Sequence, residues 1–467
     1  MQNKSQKIGL FLLVLLITSA VDNVRNLPAT AAAGTYIFYF FLIAVALFLL
    51  PVTLISAELS ATHTSEKTEG IYGWVKQAFG PKMGMFAIWC QWINTLIWFP
   101  SILIFIANTA VFLIAPSLAQ NKIFAASFII TTFWLMTIIN LFGLRTSAKF
   151  ASFCGMIGMI IPMGLIVLFA LIWLLMGNTS HIQFTTNNVI PNLSSQGAWM
   201  GLTAIITSFL GLELATVHVS KVNNPKRNFP IALFISTIFM VATMLLGALA
   251  ISMLFPQAKI NVVNGTIMAF ERFLNAYHIG LLFPILVIMI LIGSMGSMVN
   301  WLISPAKGLL QAADDHFLPS SLKRRNQYDV PQNIMILQAV IVTLVCLALN
   351  FIPTVDGAYW LLTDLSTEIY VLMYFLMFLA AVRLKQTRRQ TEQNDTFEMS
   401  RFLFFALCLM GIIGTILVMV IGFMPPRSHV DHESLRFIMN FSIGLVIALV
   451  PVIFFFGYRN QAKKQQS

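Results

Sequence analysis

The sequence predicts an all-α polytopic membrane protein with twelve transmembrane helices. Three observations carry this reading. The 467 residues are 58% hydrophobic and only 10% charged, with a mean hydropathy of +0.83, more apolar surface than a soluble domain buries. Apolar runs of about 20 residues recur along the whole length, each enough to cross about 30 Å of hydrocarbon as a helix. The two-residue alternation of a membrane β-barrel is absent, so the helix is the remaining way to satisfy every backbone group in lipid.

The runs place spans at 8–32, 36–57, 83–114, 122–144, 150–176, 198–220, 229–254, 279–305, 332–350, 357–382, 401–423 and 435–458. An even number puts both ends on one side, and charge selects the side. Of the 28 Lys and Arg, 22 fall in the N-terminus, the even-numbered connections and the C-terminus, whereas Lys122, Lys259, Arg272, Arg427 and Arg436 fall opposite and Arg25 lies inside span 1. That bias predicts cytoplasmic termini and a multi-pass protein of the cell (inner) membrane. The net charge of +11 is then topological, not the footprint of a nucleic-acid partner. Lys4, Lys7 and the following apolar run also mimic a secretory signal, but are read as the first span. Cys90, Cys154, Cys346 and Cys408 all fall inside spans without metal-ligand spacing and are read as small core residues. No extramembrane piece exceeds about 25 residues, so the chain is one transmembrane domain, with spans 1–5 over 8–176, spans 6–10 over 198–382 and spans 11–12 over 401–458. Neither a phosphate-binding loop nor a nucleophile–base set is present; no enzyme activity and no cofactor are expected. The oligomeric state is not legible.

Two spans are interrupted. Span 1 carries "VDNVRNLPATAAAG" and span 6 carries "TSFLGLELATVHVSKVNNPKRNFP", five spans later. Broken helices at matching places in two five-span halves point to an inverted-repeat transporter. A break frees N–H groups at one end and C=O groups at the other, costly in lipid unless they line a site. The N–H end attracts a carboxylate and the C=O end an ammonium, demands that a zwitterion meets together. Between spans 2 and 3, residues 57–80 include an amphipathic stretch with Ile71, Trp74, Val75 and Phe79 at helical spacing. The piece after span 8, "AKGLLQAADDHFLPSSLKRRNQYDVPQ", is read as its counterpart in the second half.

Several stretches look familiar: "SFLGLELATVHVSKVNNPKRNFPIAL" at span 6, "AELSATHTSEKTEGIYGWV" after span 2, "SPAKGLLQAADDHFLP" after span 8 and "STEIYVLMYFLMF" in span 10. On these the chain resembles the amino acid–polyamine–organocation transporter superfamily, and within it the bacterial glutamate/γ-aminobutyrate antiporters. The resemblance implies a leucine-transporter-like 5+5 inverted repeat with broken helices 1 and 6, substrate held at the breaks, and alternating access. It implies that Glu213 matches an acidic residue in the broken part of span 6. It also implies that Tyr370 and Tyr374 match a tyrosine pair on span 10, and that Thr207 to Gly211 are unwound. Where relatives carry small residues ahead of the first break, this chain has Val21, Asp22 and Asn23; where the antiporters carry an acidic residue on span 8, it has Ser297. Only nine residues follow span 12, too few for the antiporters' C-terminal plug.

Asp22 and Arg25 each cost about 2.5–3.5 kcal/mol to insert. A helical turn brings residues three apart face to face, which admits a structural ion pair, a gate, or a substrate contact in which Arg25 grips a carboxylate in bidentate fashion. Candidate substrate contacts are Asp22, Asn23, Arg25, Ser208, Gly211, Tyr370 and Tyr374; candidates for proton coupling or gating are Glu213, Ser297 and Glu368. Asp364 and Glu368 are one turn apart, as are Tyr370 and Tyr374. A 100° step per residue sets Glu368 about 160° from Tyr370, so an unbroken helix cannot aim both pairs at one cavity. The resemblance implies the tyrosines on the path, and Glu368 is then expected to face a neighbouring span or water near the outer side. His218 is read as a packed or pore-edge histidine. The functional expectation is a secondary amino-acid transporter, an exchanger of glutamate/γ-aminobutyrate type. Its partners are a small-molecule amino acid or amine, protons and the lipid bilayer. The alternatives are a proton-coupled symporter of an amine or polyamine and a non-transporting amino-acid sensor.

Overall fold

The computed structural model describes residues 8–62, 70–114, 118, 122–185, 190, 199–348, 355–387, 398–424 and 431–464. Among these the chain is helical throughout, its one extended pairing being an isolated parallel bridge between Ile8 and Val222. The helices are α1 (Leu10–Val21), α2 (Leu27–Ala31), α3 (Gly34–Thr62), α4 (Gly70–Phe79), α5 (Pro81–Ile114), α6 (Lys122–Leu141), α7 (144–175) and α8 (Met200–Thr207). They continue with α9 (Pro225–Leu254), α10 (Gly265–Ala276), α11 (Phe283–Asp314), α12 (Gln332–Ala348), α13 (Val355–Thr387), α14 (Arg401–Gly422), α15 (Asp431–Leu449) and α16 (Pro451–Lys464).

Ten helical segments among the described residues are long and apolar enough to cross a membrane. Their outward faces suit lipid: Leu175, Leu281 and Phe402, on separate segments, are 87%, 92% and 86% exposed, a surface that water would penalise. The chain is a multi-pass membrane protein. Two of the expected spans fall short of full length. The sixth is carried by Gly201–Thr216 and the ninth by Gln332–Ala348. The sixth is shortened by its break; the last two residues of the expected ninth span, 349 and 350, lie outside the described residues.

Both interruptions are real. α1 stops at Val21, Asp22 and Asn23 run extended (ψ 128° and 129°), a 3-10 turn covers Val24–Asn26, and α2 resumes with Pro28 in its first turn. Lacking an N–H, Pro28 suits a helix start; it opens the second half and does not itself make the break. In the sixth segment α8 ends at Thr207, Gly211 takes a left-handed φ of 104°, and a 3-10 helix runs over Leu212–Lys221. α1 packs on α7, α9 and α11, and the 3-10 helix packs on α1, α3, α4 and α11. The two breaks therefore meet at the centre of the bundle, where Thr30 and Ser208 share a hydrogen bond of 3.3 Å.

α4 is the amphipathic helix expected before span 3, with Ile71, Trp74 and Val75 buried. Its expected counterpart after span 8 does not form. No breaker interrupts "AKGLLQAAD", so α11 runs on to Asp314 and only a 3-10 turn, Ser320–Lys323, follows. The comparable amphipathic helix lies one connection earlier, in α10, which buries Ile267, Phe270 and Phe273. α4 packs on the 3-10 half of the second broken helix, and α10 packs on α2, half of the first.

All four cysteines are free and buried, as small core residues are. A π-helical turn at Met156–Ile160 within α7 brings Gly158 against the backbone of Gly293 on α11, where a Cβ on either would overlap main chain. Gly293→Val is therefore expected to destabilise the protein by about 1–3 kcal/mol, the usual cost of forced overpacking, read as an earlier thermal unfolding midpoint in detergent.

Candidate functional site

A cavity opens where the breaks meet. Its walls are Asn23, Arg25 and Asn26 from the first break, Thr207 and Leu210 from the second, Asn94 and Trp98 from α5, and Ser297 and Trp301 from α11. Its water-accessible volume is about 20 Å³, room for one or two waters, so the walls must part to admit anything larger. Trp301 joins the two breaks. Its Nε1 donates to the carbonyl of Ala20 at the end of α1 (2.6 Å), and its ring stacks on Trp98 (centroids 5.0 Å, 29°) and leans on Tyr370 (5.4 Å, 45°). A Cβ on Gly211 would lie 2.5 Å from Trp301 Cζ2, so only glycine fits beside that ring. Arg25 is 1% exposed; its Nη1 donates to Ser101 Oγ (3.0 Å) and its guanidinium lies over Trp98, 5.2 Å from the ring centre.

Beside the cavity, Glu213 at the start of the 3-10 helix accepts three hydrogen bonds. Tyr370 and Tyr374 of α13 donate to its two oxygens, and Gln91 of α5 donates to Oε1 at 2.9 Å. Tyr374 in turn accepts from the amide of Gly211 (3.0 Å). The carboxylate thus fixes the unwound turn to α5 and α13 through charge-assisted bonds, the stronger class. Residues 8–450 match the family described as amino acid permeases. The chain belongs to this amino acid permease family. It is 33% identical over 459 residues, 98% of each chain, to an uncharacterised transporter of Legionella pneumophila. It is 26% identical over 453 residues (96% of this chain, 90% of the relative) to a glutamate/γ-aminobutyrate antiporter of Lactococcus lactis. It is 23% identical over 462 residues (96% and 94%) to a probable agmatine/putrescine antiporter of the same species. These relatives are transporters of the amino acid–polyamine–organocation superfamily, not enzymes.

In this permease the first-break charges do not pair as their spacing predicts. The expected contact needs a helical turn, and the chain is extended at Asp22 and Asn23, so the two side chains leave in different directions. Arg25 turns to Ser101 and Trp98; Asp22 turns to α9, where Thr243 Oγ1 donates to its Oδ2 at 2.6 Å. Asp22 is not among the cavity's lining residues. Asn23 accepts from the amide of Arg25 (3.0 Å) and caps the 3-10 turn. Ser208 donates back to Ala204 (2.9 Å). Ser297 lines the cavity as a neutral hydroxyl. α13 is unbroken, so the tyrosines face Glu213 while Glu368, 4% exposed, points away from the cavity and presses on Gly422 of α14. The side chain of His218 lies outside the described residues, and among those described no cluster could hold a metal ion. Asn26, Gln91, Asn94, Trp98, Ser101, Thr243 and Trp301 are site residues that sequence reasoning missed. Each is polar or aromatic inside an apolar span, a signal too common to single them out.

A small second cavity runs from Gln91 and Glu213 to Tyr72 of α4. Beyond it, on the side where the chain starts, Tyr72 and Lys76 both donate to Asp315, just past α11. Burial alone raises the Asp315 pKa, but the bonds from Lys76 and Tyr72 outweigh it and hold the carboxyl below its ordinary value of 3.8. A depressed acid stabilises fully above its unfolded pKa and loses that contribution as pH falls through the lower folded value. The destabilisation caused by Asp315→Asn is therefore expected to be constant above about pH 5 and to shrink below about pH 4, measured as the difference in unfolding midpoint from the unaltered protein.

Proposed function

We propose that this permease is a secondary exchanger of amino acids working by alternating access, with glutamate-like acidic amino acids and their zwitterionic decarboxylation products as substrates. In this reading its single transmembrane domain, 1–467, has twelve spans, with spans 1–5 and 6–10 forming an inverted repeat and spans 11–12 added outside it. The reciprocal placement of α4 on one broken helix and α10 on the other supports that symmetry. The charge bias of the connections supports cytoplasmic termini in an inner membrane.

One observation carries the substrate class. The cavity presents Arg25 together with the amides of Asn23, Asn26 and Asn94 and the hydroxyls of Thr207 and Ser297. Asp22 faces α9, and the oxygens of Glu213 are engaged by Tyr370, Tyr374 and Gln91. Among the described residues that line the cavity, the one charged group is therefore the Arg25 guanidinium. A guanidinium pairs with a carboxylate in planar, bidentate fashion and repels a dicationic polyamine. The C-terminal end of α1, where Ala20 and Val21 line the cavity, carries the negative pole of the helix dipole and suits the ligand's ammonium.

Counterflow in proteoliposomes tests the reading. Internal glutamate or γ-aminobutyrate should stimulate uptake of labelled glutamate, whereas agmatine and putrescine should not. Arg25→Gln should lower glutamate exchange about tenfold or more, the loss of one charge-assisted hydrogen bond to substrate, with normal membrane insertion. Putrescine exchange without glutamate exchange would overturn the substrate assignment. Accumulation under a proton gradient without internal substrate would replace exchange by symport, and binding without flux would indicate a sensor.

A further inference from the structure

Asp22 has no place in the ligand cavity, yet it sits at the middle of the bundle, 1% exposed. Its Oδ2 accepts from Thr243 and the backbone N–H of Asn23 also lies against the carboxyl, whereas its Oδ1 is buried without a well-formed hydrogen bond among the described residues. A buried carboxylate oxygen left bare is costly. The residue also caps the C-terminal end of α1, a twelve-residue helix whose dipole opposes negative charge there.

Among the described residues no fixed counter-charge is bonded to it. α9 has no ionisable side chain from Phe229 to Leu254, and α7 has none from Met156 to Leu175. Earlier in α7, Lys149 is exposed, and the Cβ of Cys154 packs against Gly296. α11 carries only Lys307 and Asp314, near its far end. On α10, Glu271 is exposed and Arg272 donates to the carbonyl of Leu254 (2.8 Å). Arg25 is turned to Ser101, and Glu213 is held by its tyrosines and Gln91. The side chains of His218 and Lys221 on the 3-10 helix lie outside the described residues.

Thr243 supplies a switch. Its single hydroxyl proton has three acceptors in reach: Asp22 Oδ2 at 2.6 Å, the carbonyl of Phe239 at 2.9 Å and the carbonyl of Met240 at 3.1 Å. It can serve the carboxylate in one state and the carbonyl of its own helix in the other. We propose that the Asp22 carboxyl takes up and releases a proton during the transport cycle, so that proton movement is coupled to exchange. Uptake forms an O–H bond on Asp22 from hydronium, which leaves as water, while the Thr243 hydroxyl turns to Phe239; release reverses both. The proposal rests on the exchange reading above and reassigns to Asp22 the coupling role expected of Glu213.

The test is exchange of external glutamate for internal γ-aminobutyrate by the purified protein in proteoliposomes holding an internal pH dye. For one proton carried with glutamate and none with γ-aminobutyrate, a gradient of about one pH unit should shift the equilibrium of glutamate-for-γ-aminobutyrate exchange about tenfold. Net entry of glutamate in exchange for γ-aminobutyrate should be matched one for one by proton entry. Asp22→Asn should exchange glutamate without proton movement and without response to the gradient. Thr243→Val, which keeps the carboxyl but removes its donor, should displace the pH profile of exchange by about one unit, so the idea stays testable if Asp22→Asn fails to fold. Exchange by the unaltered protein with no proton flux overturns the proposal and leaves the exchange reading standing, as does proton-coupled exchange by Asp22→Asn or an unmoved profile in Thr243→Val. Absence of any exchange defeats the underlying reading.

Discussion

Glu213→Ala is expected to slow exchange by about 100-fold or more while the protein still inserts and stays monodisperse in detergent. Three buried donors, on Tyr370, Tyr374 and Gln91, lose their acceptor at once, and each such orphan costs about 1–3 kcal/mol. Since about 1.4 kcal/mol is a factor of ten in rate, even a part of that sum, felt only while the unwound turn is positioned, gives the stated loss. Glu213→Gln keeps the shape and one acceptor oxygen, and its loss should be nearer tenfold. Tyr374→Phe should be severe alone, because Tyr374 also accepts the amide of Gly211. Added to Glu213→Gln it should cost little more, since partners in one network are not additive. Initial counterflow rates per molecule of inserted protein supply every comparison.

Gly211→Ala should be nearly as damaging. The residue holds φ at 104°, where a side chain costs about 1–2 kcal/mol. Its Cβ would sit 2.5 Å from Trp301 Cζ2. Trp301 could yield only by giving up its bond to Ala20 or its stack on Trp98, and those contacts hold the two breaks together. A loss of about 10- to 100-fold in exchange follows. Gly164→Ala is the control: it lies in a helix with open space around it, and no loss of exchange is expected. Near-normal exchange by Gly211→Ala would show that the second break is not part of the transport path.

The parts of this architecture that depend on single chain segments were legible beforehand. Apolar run length located the ten segments long enough to cross a membrane, and the charges and Pro28 and Gly211 marked the two breaks. The 100° step of an unbroken helix correctly separated Glu368 from Tyr370. What was not legible depends on segments far apart in sequence. The expected Asp22–Arg25 contact assumed a helical turn, and the extended conformation at Asp22 and Asn23 removed it. Their actual partners, Thr243 and Ser101, lie 221 and 76 residues away. Trp301 reaches both breaks only because α11 packs beside α1 and α5, and an isolated tryptophan in an apolar span carries no mark of that role. The misplaced counterpart of α4 has the same origin: amphipathic spacing is local, whereas α10 earns its equivalence by packing on α2.

The central claim is that the cavity between the breaks holds the transported substrate. Ser297 lines it, and the four native thiols are buried. Labelling the Ser297→Cys variant with a small polar thiol reagent, with and without saturating glutamate, tests the claim most directly. The account predicts that glutamate slows labelling at position 297 about tenfold or more, as expected for an occluded site near full occupancy, and leaves a Thr35→Cys variant unprotected, since Thr35 lines a separate cavity. Equal labelling rates with and without glutamate, in a variant that still exchanges it, would contradict the account.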